Sequence, residues 1–276
     1  MKNLGKTVQE VIGMKGIGKR KGFILLILLY VGLCLPLNKI EASMCKNQQD
    51  ENIMSILWYQ QSAETDALYR QGFELARLRL DEALQQKTVK DKAIILDIDE
   101  TVLNNSPFLA QLVHKKISFH EGWDDWVKQA KAKPLPGALE FLQYADMKGI
   151  KIFYVTNREQ HLYKPTERNL KKAGFPQTDQ GHLYLLTDEV SKESRRKAIE
   201  KNHSVILLLG DNLIDFTKEF DNLDSAQRKK QVELMKKRMG SKYIVFPNPM
   251  YGNWEKALYK GKNPCVDRKN LLDSEG

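Results

Sequence analysis

The chain has little of what several common protein classes require. Its three cysteines, Cys34, Cys45 and Cys265, are far apart, and no cysteine–histidine cluster accompanies them. That spacing argues against a structural zinc site. No internal repeat or low-complexity segment interrupts the 276 residues, so neither a solenoid nor a disordered chain is indicated. No apolar run reaches the roughly 20 residues that span a bilayer comfortably; the longest runs from Phe23 to Leu37. A net charge of +9 suggests a polyanion partner until it is located. Residues 1–42 hold seven basic side chains against two acidic ones, which leaves only +4 on the rest, spread over segments of mixed sign. A nucleic-acid polymer is therefore not the expected partner. What is present is an ordinary mixture, 42% hydrophobic and 29% charged, long enough for one catalytic α/β unit with a helical addition.

The first segment has the form of an export signal. Lys19-Arg20-Lys21 precedes the apolar run, and Ile40-Glu41-Ala42 follows it, which suits cleavage after Ala42. Retention as a membrane anchor is the alternative, because flanking residues can stretch a short span. Cys34 and Cys45 raise a lipid attachment, but Leu33 and Met44 precede them where a small residue is normal. In an oxidising compartment Cys45 and Cys265 either pair, stay free, or leave Cys45 to carry a lipid. The expected organisation is export segment 1–42, linker 43–52, catalytic domain 53–262 and tail 263–276.

Residues 53–84 carry Phe73, Ala76, Leu80 and Leu84 at helical spacing, which predicts one long amphipathic helix or a helical pair within an N-terminal helical part, 53–90. Ala93-Ile94-Ile95-Leu96 then reads as a strand buried on both faces. Similar runs recur at 151–155, 183–186, 205–209 and 243–246, separated by helical stretches at 137–148, 165–173, 191–202 and 225–239. Alternation of this kind predicts a Rossmann-like, doubly wound α/β fold with a mainly parallel sheet. The N-terminal helices add a layer to it. Residues 104–134, with Trp123 and Trp126, read as a less regular insertion near the mouth of the site.

Ligands in such sheets bind beyond the carboxyl ends of the strands, so the residues that follow each strand matter most. The first strand ends in Asp97-Ile98-Asp99 and the second in Thr156-Asn157-Arg158; Ser191-Lys192 follows the third, and the fourth ends in Gly210-Asp211-Asn212-Leu213-Ile214-Asp215. Taken singly, each has a plain reading: a solvated turn, a helix cap, a surface lysine, a strand-to-loop turn. Together and in this order they bring acids, a hydroxyl and an amine to one sheet edge. Two carboxylates so close repel each other unless a cation lies between them.

The segment Leu96-Asp97-Ile98-Asp99-Glu100-Thr101-Val102-Leu103-Asn104-Asn105-Ser106-Pro107 resembles the first motif of the class C acid phosphatases of the haloacid dehalogenase superfamily. Val155-Thr156-Asn157-Arg158 is similar to the second motif, Lys192 to the third, and Gly210-Asp211-Asn212 with Asp215-Phe216 to the fourth. Residues 58–64 and 246–255 resemble the same class, so the likeness covers about 53–260. It implies an aspartyl-phosphate mechanism, with Asp97 as nucleophile and Asp99 as acid and then base, able to hold a proton at acidic pH. It also implies Mg2+ held by the side chains of Asp97 and Asp211 and the backbone carbonyl of Asp99, with Asp215 orienting that shell. Thr156, the amide of Asn157 and Lys192 would bind the phosphate. The implied substrate is a small phosphomonoester, including nucleoside 5'-monophosphates or nicotinamide mononucleotide, with Tyr251 as the base-binding wall. Trp254, Trp123 and Trp126 are lesser candidates for that wall, against core packing. A phosphotransferase on the same scaffold, or a non-catalytic surface or haem-binding lipoprotein, are the alternatives.

Overall fold

The computed structural model describes residues 52–259 except 118, 120 and 190, together with 271 and 272. The expected export segment, nearly all of the linker, most of the tail and all three cysteines lie outside the described residues. Among the described residues no helix is long and apolar enough to cross a membrane.

The chain begins with α1 (Ile53–Gln61) and α2 (Ala63–Leu84), a helical pair divided at Ser62. Ser62 is extended and its hydroxyl accepts from the amide of Thr65, so it closes one helix and caps the next. Five strands follow: β1 (Lys92–Leu96), β4 (Lys151–Glu159), β5 (Leu183–Leu186), β6 (Ser204–Gly210) and β7 (Tyr243–Val245). Their order in space is β5-β4-β1-β6-β7, and every pairing is parallel. The crossovers carry α5 (Ala138–Met147), α6 (Tyr163–Lys172), α7 (Glu193–Asn202) and α8 (Ser225–Leu234), and α9 (Asn253–Leu258) comes last.

The alternation of strand side chains sorts the core into two layers. Ile94 and Leu96 of β1, Ile152 and Tyr154 of β4, and Leu207 and Leu209 of β6 join Tyr69, Phe73 and Leu80 of α2 on one face. Ala93, Ile95, Phe153, Val155 and Leu208 face the other way, onto Ile199, Phe216 and Phe220. Burial on both faces is why these strands read as unbroken apolar runs.

Residues 104–134 are more regular than expected. A short antiparallel pair, β2 (Leu103–Asn104) and β3 (Lys133–Pro134), closes a loop that holds α3 (Ser106–Lys115) and α4 (Trp123–Gln129). Pro107 in the first turn of α3 is the local reason for that helix, since its missing N–H costs nothing there.

Candidate active site

From β1 the chain goes to one side, through β4 and β5, and returns to the other side as β6 and β7. The carboxyl ends of β1, β4 and β6 therefore border a crevice where the winding reverses. Asp97 follows β1 directly. The chain then curls tightly: the amides of Val102 and Leu103 both donate to the carbonyl of Ile98, each at 2.9 Å. Glu100 takes a left-handed conformation, φ 56°, to make that curl. As a result Asp97 and Asp99, two residues apart, both reach the crevice.

Carboxylate oxygens of Asp97, Asp211 and Asp215 converge to within 4.8 Å of one another. The buried ammonium of Lys192, at the start of α7, donates to Asp97 Oδ1 at 2.6 Å and to Asp215 Oδ1 at 2.7 Å. Burial raises the Asp97 carboxyl to about 7; Lys192 pulls it down, while Asp215 and Asp99 add to the rise. Burial, then Asp215 and Asp97, push Asp211 well above the usual carboxylate range. Burial opposes the charge of Lys192, but Asp215 and Asp97 outweigh it and raise its pKa. One ammonium thus leaves a group of acids short of positive charge. An all-oxygen donor set of this size fits a hard divalent cation. Asp211 is further held by Asn248, whose amide donates at 2.8 Å, and by the Thr101 hydroxyl at 3.3 Å.

Asp99 is placed apart from that group. Its carboxylate accepts from Nε of Arg158 at 3.0 and 3.1 Å, from Nη2 at 2.7 Å, and from the side-chain Nδ2 of Asn105 at 2.8 Å. Thr156 lies beside it, its hydroxyl 3.5 Å from Asp99 Oδ2. Trp126 is buried and donates to Asn105 Oδ1 at 2.8 Å, so it buttresses the Asp99 side of the crevice. Trp123 packs edge-on against Phe108, stacks on Phe119 and lies under the Arg158 guanidinium.

Tyr251 stands on the same side, its ring 5.5 Å from that of Phe119. Its hydroxyl donates to Glu100 Oε2, and Glu100 Oε1 accepts the amide of Asn105 at 2.7 Å. Burial, followed by Asp99 and Asp211, raises the Glu100 carboxyl well above its ordinary range. Trp254 is partly exposed and turns its indole N–H to the carbonyls of Asn248 and Tyr251.

The structure therefore brings Asp97, Lys192, Asp211 and Asp215 into one group, and sets Asp99, Thr156 and Tyr251 around it. Asn157 is exposed at the end of β4, with its side chain taken up by Arg195. Arg158, Glu100 and Asn248 were not singled out from the sequence as site residues. Arg158 sits inside a motif already noted, and the sequence signal was a charged residue two positions after Thr156, at the polar end of the strand.

The family model of HAD superfamily subfamily IIIB, acid phosphatase, matches residues 36–254. A crystal structure of the class C acid phosphatase from Bacillus anthracis, with tungstate bound, superposes with a TM-score of 0.80. It is 41% identical and covers 83% of this chain and 99% of that one. Among curated relatives, a stem 31 kDa glycoprotein of Glycine max is 28% identical over 61% of this chain and 63% of its own length. Acid phosphatase 1 of Solanum lycopersicum is 27% identical over 57% of each. The chain thus spans about three fifths of the length of these curated relatives. With parallel sheet, switch-point crevice and acidic group in agreement, the chain belongs to HAD superfamily subfamily IIIB, the acid phosphatases, a family of phosphomonoesterases.

Proposed function

We propose that the protein hydrolyses small phosphomonoesters in two steps through an aspartyl phosphate on Asp97. The observation that carries this reading is the convergence of Asp97, Asp211 and Asp215 within 4.8 Å at the switch point, with Lys192 bridging Asp97 and Asp215. In the first step an Asp97 oxygen bonds to phosphorus as the ester P–O bond breaks. Asp99 gives its proton to the leaving alkoxide. In the second, Asp99 takes a proton from a water that attacks phosphorus, which frees Asp97 and inorganic phosphate.

Asp97, Asp211 and the backbone carbonyl of Asp99 would hold Mg2+, with Asp215 orienting the site by accepting from the Asn212 amide at 2.9 Å. Bound there, the ion would supply positive charge for the phosphoryl oxygens. Thr156, the Asn157 amide and Lys192 complete the oxyanion-binding side. The fork of Arg158 fixes which side of the crevice Asp99 works from.

The proposed substrates are nucleoside 5'-monophosphates or nicotinamide mononucleotide, with the base against Tyr251. The neighbouring Phe119 and Trp123 rings support a stacking surface there. The tungstate in the Bacillus anthracis relative, a phosphate-like oxyanion, also supports a phosphate site on this scaffold. The basic and apolar N-terminal pattern favours export to the periplasm, cell envelope or exterior, with membrane attachment as a variant of that fate.

The test is phosphate release from nucleotides, sugar phosphates and aryl phosphates between pH 4 and 8, with and without chelator, for the wild type and Asp97→Asn. Mg2+-dependent release into water, lost in the variant, is expected. Near-normal turnover by Asp97→Asn would end the reading, and transfer to another alcohol in place of water would make the protein a phosphotransferase.

A further inference from the structure

Arg195 lies one turn after Lys192 on α7 and reaches back to the end of β4. Its Nη1 donates to the carbonyl of Thr156 at 2.5 Å and its Nη2 to Asn157 Oδ1 at 3.1 Å. Its Nε is buried without a hydrogen-bond partner. A guanidinium with all its donors satisfied is the ordinary outcome, and a buried orphan donor costs stability. The side chain accepts that loss to keep two acceptors near the end of β4 in its grip.

The grip falls where the sheet leaves the backbone least supported. The β4–β5 register breaks between Val155 and Glu159, and β1 pairs with β4 only as far as Tyr154. In a planar trans peptide the carbonyl of Thr156 and the N–H of Asn157 point in opposite directions, so holding one aims the other. The Tyr154 amide donates to His182 on the β5 side. Alternation along the extended strand puts the Thr156 carbonyl on that side as well, and the Asn157 N–H on the β1 side, where Asp97 follows.

We infer that Arg195 is a positioning residue, which clamps the Thr156 carbonyl so that the Asn157 N–H is aimed at the transferring phosphoryl group. The inference rests on the aspartyl-transfer reading above. Lys192 and Arg195 then divide the work of one helix start: the first touches the nucleophile, the second orients the peptide that faces it.

The test compares wild type, Arg195→Met, Arg195→Lys and Asp97→Asn in the full chain. Two quantities are measured: turnover of an aryl phosphate, and calorimetric affinity for tungstate, which needs no turnover. Arg195→Met is expected to lose about 30-fold or more in kcat and a similar factor in tungstate affinity, with its melting temperature close to wild type. Arg195→Lys keeps the charge but has no fork, so it should recover only part of both. Tungstate affinity and kcat within twofold of wild type in Arg195→Met overturn the inference, as does full recovery by Arg195→Lys, which would make charge alone the cause. If Arg195→Met does not fold, Arg195→Lys decides by the same two readings. An active Asp97→Asn would remove the underlying reading; an inactive one beside a normal Arg195→Met removes only this inference.

Discussion

The ammonium of Lys192 lies 2.6 Å from Asp97 Oδ1, although 95 positions separate the two in the chain. Both are buried, and the same ammonium meets Asp215 at 2.7 Å, so one cation serves two acids that no solvent screens well.

Lys192→Met removes that cation and leaves the two acids facing each other. Turnover should fall about 100- to 1,000-fold, the usual result of deleting one preorganised charge donor. Lys192→Arg should rescue little, because a planar fork cannot take the place of a compact ammonium between two oxygens. Initial rates at saturating substrate measure both; a loss under threefold in the methionine variant would mean that Lys192 serves the fold alone.

The acid group also predicts how stability depends on pH when no divalent ion is supplied. Asp97 is raised from 3.8 to about 7 in the folded chain. Between those values the folded protein keeps a proton that the unfolded chain releases. Its stabilising contribution is therefore complete below about pH 4 and fades as pH rises through about 7. Urea midpoints in chelator should fall from pH 5 to pH 8, and the slope should be shallower in Asp97→Asn. An equal slope in the two proteins would assign it to other groups.

Gly210 has no room for a side chain. A β-carbon there would stand 2.4 Å from Asp215 Oδ2, so Gly210→Ala must push that carboxylate off its bonds to Lys192 and the Asn212 amide. Displacing such an orienting group should weaken divalent-ion affinity about tenfold, with the helical circular dichroism unchanged. An ion titration followed by calorimetry reads the change directly, and unaltered affinity would show that Asp215 does not orient the site.

Tyr251→Ala separates substrate classes. Loss of one stacking ring should raise KM for a nucleoside 5'-monophosphate about tenfold, while KM for glycerol phosphate, which has nothing to stack, stays within twofold. Equal changes for both would place Tyr251 in the general architecture and count against a base-binding wall.

Much of the scaffold could be read from the residues because doubly buried strands cannot hide: all five apolar runs became strands, and the parallel order followed. Helix ends were less legible. The segment expected to run from 225 to 239 stops at Leu234, after which the chain turns through short-range bonds to reach β7. The helix at Ser106–Lys115 lies within the stretch 104–134, whose sequence reads as a less regular insertion. Within the site, each strand end announced its own acid or amine, but not its partner. That Arg158 would hold Asp99 across 59 positions, or Tyr251 bond Glu100 across 151, is a matter of tertiary approach and leaves no local signature. The way Asp215 comes beside the expected metal ligands also left no local sign: a single 3-10 turn at Leu213–Asp215 brings its carboxylate back over Gly210 and close to those of Asp97 and Asp211.

Glu100 sits in a backbone conformation that suits glycine, and an L-residue there gives up about 1 kcal/mol. Its carbonyl takes the hydroxyl of Tyr69 at 2.5 Å, while its carboxyl joins Tyr251 to the Asn105 amide. A glycine would ease the bend and keep the first of these links but cut the second. The least comfortable residue of the loop is thus the one through which the aromatic wall and the carboxylate-bearing turn can be brought into register, and relaxing it would trade that registration for a firmer fold.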